Sequence, residues 1–574
     1  MTHLSKSMVD ILRWRSDNQP QQMAFRFLAD GEYEEEIVTY EDLDTRARSI
    51  SSFLNLSARA GERALLLFPP GLDFIAAYFG CMYAGILAIP AYPAHPARLE
   101  RTLPNILRII SDAKPTVVLL TSQLFEAIVS QKTLRKKFDN IKLLILKDIE
   151  FAEAAEIRKM PAIEGGDIAF LQYTSGSTST PRGVMVSHSN LMHNMDLIGK
   201  CFDLTGRDHI VTWLPPYHDM GLIGGLLQPI YSGISATIIP HLMFLQRPFR
   251  WLETISRFHA TISGGPNFAF ELCTRKIKSE QREMLDLSSW EVAFIGSEPV
   301  SSKTMENFVN YFAPCGFRRE CLLPCYGLAE STLMVVGVPR SKTHVMKNGV
   351  NTENQINQTH ISTEKTFVSQ TLVSSGPNLS DQRISIVDPE TLTPCLPGAI
   401  GEIWLSGPSV AQGYWEKPAE TDFTFGARLA QSNEGPFLRT GDLGFLHEGE
   451  LFITGRIKNL IISEGKNHYP HDIERTVEAS HPAIRNTGSA VFSVPHDVGE
   501  DIIIVAEIDH KRDVEVGEVI KAIREAVSID HGLYVQDVVL TKPGGIPKTT
   551  SGKIKHFLCR EYFLAGTFKE FTII

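Results

Sequence analysis

Between residues 38 and 130, short apolar runs alternate with amphipathic stretches of helical period. This alternation constrains the fold more than any other feature. ALLLFPP (64–70) and TVVLLTS (116–122) predict short buried strands, and LDTRARSISSFLN (43–55), with its apolar residues on one face, predicts a helix. The longest apolar stretch runs from Phe74 to Ile89, is interrupted by small residues and stops at Pro90. A membrane-spanning helix needs about 20 apolar residues, so a buried helix followed by a strand is expected here, with no integral membrane segment. Strands alternating with helices predict α/β architecture.

At 574 residues the chain exceeds one compact domain. With roughly 100–200 residues per domain, at least two or three structural units are expected. A boundary is expected near ITGRIKNLIISEGKN (453–467), where a glycine-bearing turn separates two apolar segments and a fresh α/β pattern follows. SKTHVMKNGVNTENQINQTHISTEKTFVSQ (341–370) is rich in Asn, Gln, Thr and Lys and predicts an exposed insertion or flexible loop. The net charge of -10 and the lack of a Lys/Arg-rich run give no electrostatic reason to bind nucleic acid. Eight scattered cysteines form no CxxC pair and no zinc-spaced cluster, as expected of reduced thiols in a cytoplasmic protein. The N-terminus lacks the apolar core of a signal peptide.

The segment DIAFLQYTSGSTSTPRGVMVSH (167–188) carries the most chemistry. A strand over Ile168–Tyr173 leads into Thr174, Ser175, Gly176, Ser177, Thr178, Ser179 and Thr180, followed by Arg182 and a second strand over Val184–Val186. Small residues let backbone N–H groups approach phosphate oxygens, and hydroxyls add donors. The GxxxxGK[ST] pattern is absent, and a strand follows the loop where a P-loop has a helix.

YTSGSTSTPRGV (173–184) resembles the phosphate-binding signature of the adenylate-forming superfamily of acyl-CoA synthetases, luciferases and peptide adenylation domains. Ser179 stands where that signature usually has Gly, and Arg182 where it has Lys. Further motifs follow in the family's order. In WLPPYHDMGLIGG (213–225) the resemblance puts His218 near the acyl carboxylate. In GGPNFAFEL (264–272) it gives Asn267 and Phe268 to the acyl pocket. AFIGSEPV (293–300) contributes Gly296, Ser297, Glu298 and Pro299 to the nucleotide site. CYGLAEST (325–332) contributes Tyr326, Gly327 and Leu328, with Tyr326 on the adenine and Glu330 holding Mg²⁺; Ala329 replaces the usual Thr. FLRTGDLGFL (437–446) supplies Asp442 for the ribose diol, and ITGRIKNLI (453–461) supplies Arg456 and the hinge Lys458. GGIPKTTSGKIKHF (544–557) supplies Lys553 as the catalytic lysine, with His556 where Arg is usual.

Over nearly the whole chain the resemblance is to the fatty acyl-AMP ligases, whose extra insertion falls where 341–370 lies. It implies a multidomain α/β fold. A large N-terminal domain (1–457) would hold two α/β subdomains and a small distorted barrel, and a small mobile α+β domain (458–574) would follow. It also implies ATP and Mg²⁺ as cofactors and a medium- or long-chain fatty acid as substrate. The acyl group would pass through an acyl-adenylate to the phosphopantetheine thiol of a separate acyl carrier protein. A long-chain fatty acid–CoA ligase and a non-catalytic acyl- or nucleotide-binding module remain open alternatives.

Overall fold

The computed structural model describes residues 5–94, 99–146, 161–174, 181–350, 370–463, 466–496, 499–509, 515–549 and 552–570. The alternation over residues 38–130 is realised as expected. A helix over Tyr40–Leu54 starts at a reciprocal cap, in which Thr39 Oγ1 accepts from the Asp42 amide and Asp42 accepts from the Thr39 amide. The apolar stretch forms a helix, Leu72–Ala84, buried at every residue but Asp73, that ends at Gly85 with φ of 65°. Strand Leu87–Pro90 follows at once.

Two sheets organise most of the chain. One runs Lys142–Ile145, Val117–Leu120, Arg63–Leu67, Leu87–Pro90, Ile168–Thr174 and Arg182–Ser187, parallel except for the last strand. The other has eight strands, in the order Met334–Gly337, Leu322–Gly327, Val292–Ile295, Ile262–Gly265, His209–Thr212, Ser235–Ile238, Met23–Leu28 and Glu35–Thr39. Its six inner strands are parallel and its two edge strands antiparallel. Parallel strands need helices on both faces, which explains their near-continuous apolar sequences. Behind the eight-stranded sheet the core is aromatic: Trp251, Trp290, Phe270 and Phe308 are fully buried and meet largely edge to face.

A six-stranded antiparallel sheet stands where the small barrel is expected, in the order Met346–Val350, Gln370–Pro377, Glu450–Arg456, Leu438–His447, Gly401–Ser406 and Arg383–Val387. Within 341–370 its edge strand replaces part of the expected loop, while 341–345 remain outside any strand. Met346–Val350 pairs antiparallel with Gln370–Pro377, Met346 opposite Val373. Polar residues suit a strand whose outer edge faces water, and their composition alone does not distinguish it from a loop. Residues 351–369 lie outside the described part.

After Arg456 a 3₁₀ turn, Ile457–Asn459, leads into a smaller unit. Strands Ile484–His496, Gly499–Ile508 and Val535–Thr541 form its sheet. Helices Pro470–Ser480 and Val516–His531 cover one face and His556–Leu564 the other. Among the described residues no helix is long and apolar enough to cross a membrane.

Candidate active site

Ligands of parallel sheets bind beyond the carboxyl ends of the strands. Here the eight-stranded sheet delivers Trp213, Pro266, Ser297 and Tyr326 to one such edge, and all four line a cavity of about 1110 Å³. The antiparallel sheet adds Asp442 and Arg456, and the C-terminal unit closes the cavity with Lys553. Thus segments more than 370 residues apart, from Thr174 to Lys553, face one space.

The phosphate-type loop has the expected frame. Ile168–Thr174 and Arg182–Ser187 pair antiparallel, with Thr174 opposite Arg182. Ser175, Gly176, Ser177 and Thr178 lie outside the described residues. Thr174 and Arg182 line the cavity. The Arg182 guanidinium is paired with Glu420 at 2.6 Å and lies 5.2 Å from the centre of the Tyr414 ring. Its charge is therefore already partly matched within the protein.

Asp442 is the hub of the nucleotide side. It is buried, and its carboxylate accepts from the Tyr326 hydroxyl at 2.7 Å and from the Arg456 guanidinium. Arg456 faces it across the ladder of Leu438–His447 and Glu450–Arg456. The Asp442 charge holds the Arg456 guanidinium pKa up, while burial pushes the Tyr326 phenol well above its usual range. Glu330 also lines the cavity, and its Oε1 accepts from the Tyr414 hydroxyl at 2.9 Å. One carboxylate facing a polar cavity suits Mg²⁺, which keeps most of its shell as water and substrate phosphate oxygens. Among the described residues no cluster of three or more His, Cys, Asp or Glu forms a protein-only metal cage.

Lys553 sits in a tight loop, where its backbone N–H donates to Thr549 Oγ1 at 3.0 Å and its carbonyl accepts from the Thr549 N–H at 2.7 Å. Gly552, with φ of 85°, brings this loop against Phe268 of the large unit so closely that a Cβ would lie 2.9 Å from the ring. Burial and the nearby Arg456 charge push the Lys553 ammonium pKa down, and Asp219, Glu298 and Asp442 pull it back up. The net effect is a lowered pKa for an amine that lines the cavity together with these three acidic residues. Lys458 lines the same wall; burial and Arg456 lower its pKa to about 8. His556 pairs with Glu474 at 2.6 Å inside the small unit.

His218 opens the apolar side. Burial, reinforced by the Lys553 charge, lowers its pKa to about 4, so the imidazole is neutral at pH 7. Asn267 lines the cavity, but both ends of its amide are engaged: Nδ2 donates to the Pro299 carbonyl at 2.8 Å and Oδ1 accepts from the Ser301 amide at 3.1 Å. It braces the loop that carries Ser297, Glu298 and Pro299. Ser297 holds φ of 74°, an unusual conformation for a residue with a Cβ. Gly327 and Leu328 line the cavity, whereas Gly296 lies behind it, where a Cβ would come within 2.6 Å of the Cys325 carbonyl oxygen.

Residues outside the sequence-based candidates also line the cavity. Asp219 faces the same cavity as Lys553, Tyr414 fixes Glu330, and the buried Gln172 and Gln228 are among its lining residues. Only Asp219 has a local signal, its place next to His218.

Comparison with known proteins agrees with this geometry. Residues 12–415 match the family described as AMP-binding enzyme, and residues 458–571 match the AMP domain described as Disco-interacting protein 2-like. The medium-chain-fatty-acid–[acyl-carrier-protein] ligase JamA of Moorena producens is 47% identical over 576 residues, covering 98% of this chain and 96% of that protein. A fatty acid AMP ligase from Legionella pneumophila has a crystal structure with a TM-score of 0.75 and 41% identity, over 99% of this chain and 97% of that one. A fatty acyl-adenylate ligase from L. pneumophila, solved in complex with acyl adenylate and pyrophosphate, matches at 40% identity and a TM-score of 0.75, over 98% and 97% of the two chains. The chain belongs to the AMP-binding enzyme family, in its fatty acyl-AMP ligase branch. It is therefore an adenylate-forming ligase.

Proposed function

We propose that this enzyme joins a medium- or long-chain fatty acid to the α-phosphate of ATP and then passes the acyl group to the phosphopantetheine thiol of a separate acyl carrier protein. The observation that carries the first step is that Lys553, the Asp442–Arg456–Tyr326 cluster and an apolar channel beginning at His218 share one cavity. In that step a carboxylate oxygen bonds to the α-phosphorus as the bond to the pyrophosphate oxygen breaks, giving acyl-AMP and pyrophosphate. The acid is ionised near pH 7, so no base is required. The barrier is repulsion between anions and the charge that develops on the leaving pyrophosphate.

The residues fit those demands. Lys553 supplies a cation in the cavity, where Asp219, Glu298 and Asp442 partly offset the lowering of its pKa by burial and Arg456. His218, being neutral, offers an N–H donor to the acyl carboxylate without pairing with it permanently. Asp442 accepts from the ribose diol, and Tyr326 borders the adenine. The hydroxyl-rich loop after Tyr173 and Arg182 contact the phosphates. Glu330, fixed by Tyr414, would hold Mg²⁺, which neutralises phosphate charge when bound. Lys458, at the junction of 1–457 with 458–574, is the hinge about which the small domain turns between the two steps.

An outside thiol fits the second step. Cys325 lines the cavity, but burial raises its thiol pKa to about 12 and leaves it protonated. The 47% identity with a carrier-protein ligase supports a carrier as acceptor over coenzyme A. Eight free thiols suit a cytoplasmic enzyme. The experiment supplies ATP, Mg²⁺ and decanoic acid with either coenzyme A or a phosphopantetheinylated carrier protein. We expect acyl transfer to the carrier at a rate at least about tenfold above that to coenzyme A, a difference of roughly 1.4 kcal/mol in barrier. Equal or faster formation of acyl-CoA places the enzyme among the fatty acid–CoA ligases.

A further inference from the structure

The two ends of the phosphate-type loop are joined through a circuit of polar contacts. Tyr173 is buried, and its hydroxyl donates to Asp112 Oδ2 at 2.7 Å. Oδ1 of the same carboxylate accepts from the Lys417 ammonium at 2.6 Å. Lys417 stands at the start of the helix Pro418–Phe425, and Glu420 in the first turn of that helix pairs with Arg182. Arg182 lies opposite Thr174 on the paired strands, which closes the circuit. The segment before the helix runs along the edge strand Arg182–Ser187: the Trp415 N–H donates to the Gly183 carbonyl at 2.8 Å, and the Met185 N–H to the Gly413 carbonyl at 2.9 Å.

Local structure does not account for Asp112. It lies in the last turn of the helix Leu99–Ala113, where the helix dipole disfavours a carboxylate. A cation and a hydroxyl from two distant segments offset that cost. The Asp112 and Lys417 side chains are only 14% and 17% exposed, so solvent screens their attraction weakly. Tyr173 is closely fitted too. It faces Gly183 across the ladder, where a Cβ would lie 3.0 Å from its ring and 3.1 Å from its hydroxyl oxygen. Tyr173, Thr174 and Arg182 line the cavity, and Asp112 and Lys417 are not among its lining residues.

We propose that Asp112 is a positioning residue for ATP: by joining Tyr173 to Lys417 it holds Thr174 and Arg182 in place before the triphosphate arrives. The proposal rests on the acid-activating reading above, in which these two ends of the loop meet the phosphates. Groups held in advance spare the ligand the cost of ordering them, so loosening the brace weakens ATP binding. Affinity for the acid is not expected to change.

The test measures pyrophosphate release over ranges of ATP and decanoic acid, beside a thermal melt, for the wild type, Asp112→Ala, Tyr173→Phe and the double variant. Each single variant is expected to raise the KM for ATP about tenfold and to leave the KM for the acid within about twofold, the pattern of lost ground-state binding to one substrate. The double variant is expected to be no worse than the poorer single one, because both act through one hydrogen bond. Should Asp112→Ala fail to fold, Tyr173→Phe removes a single hydroxyl and carries the KM comparison by itself. A lowered melting temperature with both KM values unchanged marks a purely structural brace and overturns the proposal. So does a parallel rise in both KM values, or a double variant whose losses multiply. A wild type that releases no pyrophosphate with the acid overturns the acid-activating reading and the proposal with it.

Discussion

Replacing Lys553 with alanine is expected to slow acyl-adenylate formation by about 10²- to 10³-fold while leaving ATP affinity within about threefold. Removing one preorganised donor from a site of developing charge costs roughly 2.7–4 kcal/mol of transition-state stabilisation. Lys553 is such a donor: it lines the same cavity as Asp219, Glu298 and Asp442, on a loop held against Phe268. Its contact with the nucleotide is expected to matter most when the pyrophosphate charge develops. Pyrophosphate release under saturating ATP and acid gives kcat, and titration calorimetry with ATP gives affinity. A mutant that forms acyl-AMP at the wild-type rate contradicts the role.

The second large effect is expected at Asp442. Its carboxylate has about four acceptor positions. Short bonds from Tyr326 and Arg456 use two of them, and the 3.4 Å contact from Arg456 Nη2 is weak enough to yield. Room is left for the two ribose hydroxyls. Two hydrogen bonds to a charged acceptor are worth roughly 1.5 kcal/mol each at the lower bound, so Asp442→Ala should raise the KM for ATP by about 100-fold. The substitution also leaves the Arg456 guanidinium without its main partner, so some loss of stability is expected as well. Steady-state kinetics over a wide ATP range, beside a thermal melt, separates the two. An unchanged KM in a folded mutant removes Asp442 from the nucleotide site.

Much of this fold is local in origin and therefore legible. The uniformly apolar strands, the buried helix Leu72–Ala84 and the strand–loop–strand around Tyr173 each follow from composition and period over a few residues. Site residues were legible where they sit in ordered motifs: Tyr326, Asp442, Arg456 and Lys553 all reach the same cavity. What escaped depends on contacts between distant segments. Tyr414 lies 84 residues from Glu330, and no local pattern announces that its hydroxyl fixes that carboxylate. Glu420 likewise offsets the charge of Arg182 from a helix whose sequence reads as surface. Gln228 looks like an ordinary helix-terminal polar residue, yet it is buried and borders the cavity. Asn267 reads as a pocket residue and lines the cavity, and its amide also braces the loop of Glu298, which no local pattern announces. At the edge of the antiparallel sheet, Lys347 reads as part of a polar loop although its backbone is paired with Leu372.

The central claim is that one cavity brings a fatty carboxylate to the α-phosphorus of ATP. Its most direct test incubates the enzyme with ATP, Mg²⁺ and decanoic acid, without any thiol acceptor, and measures the products by mass spectrometry. The expected result is decanoyl-AMP and pyrophosphate in equal amounts, with no ADP. Formation of ADP and phosphate, or pyrophosphate release that does not depend on the acid, contradicts it.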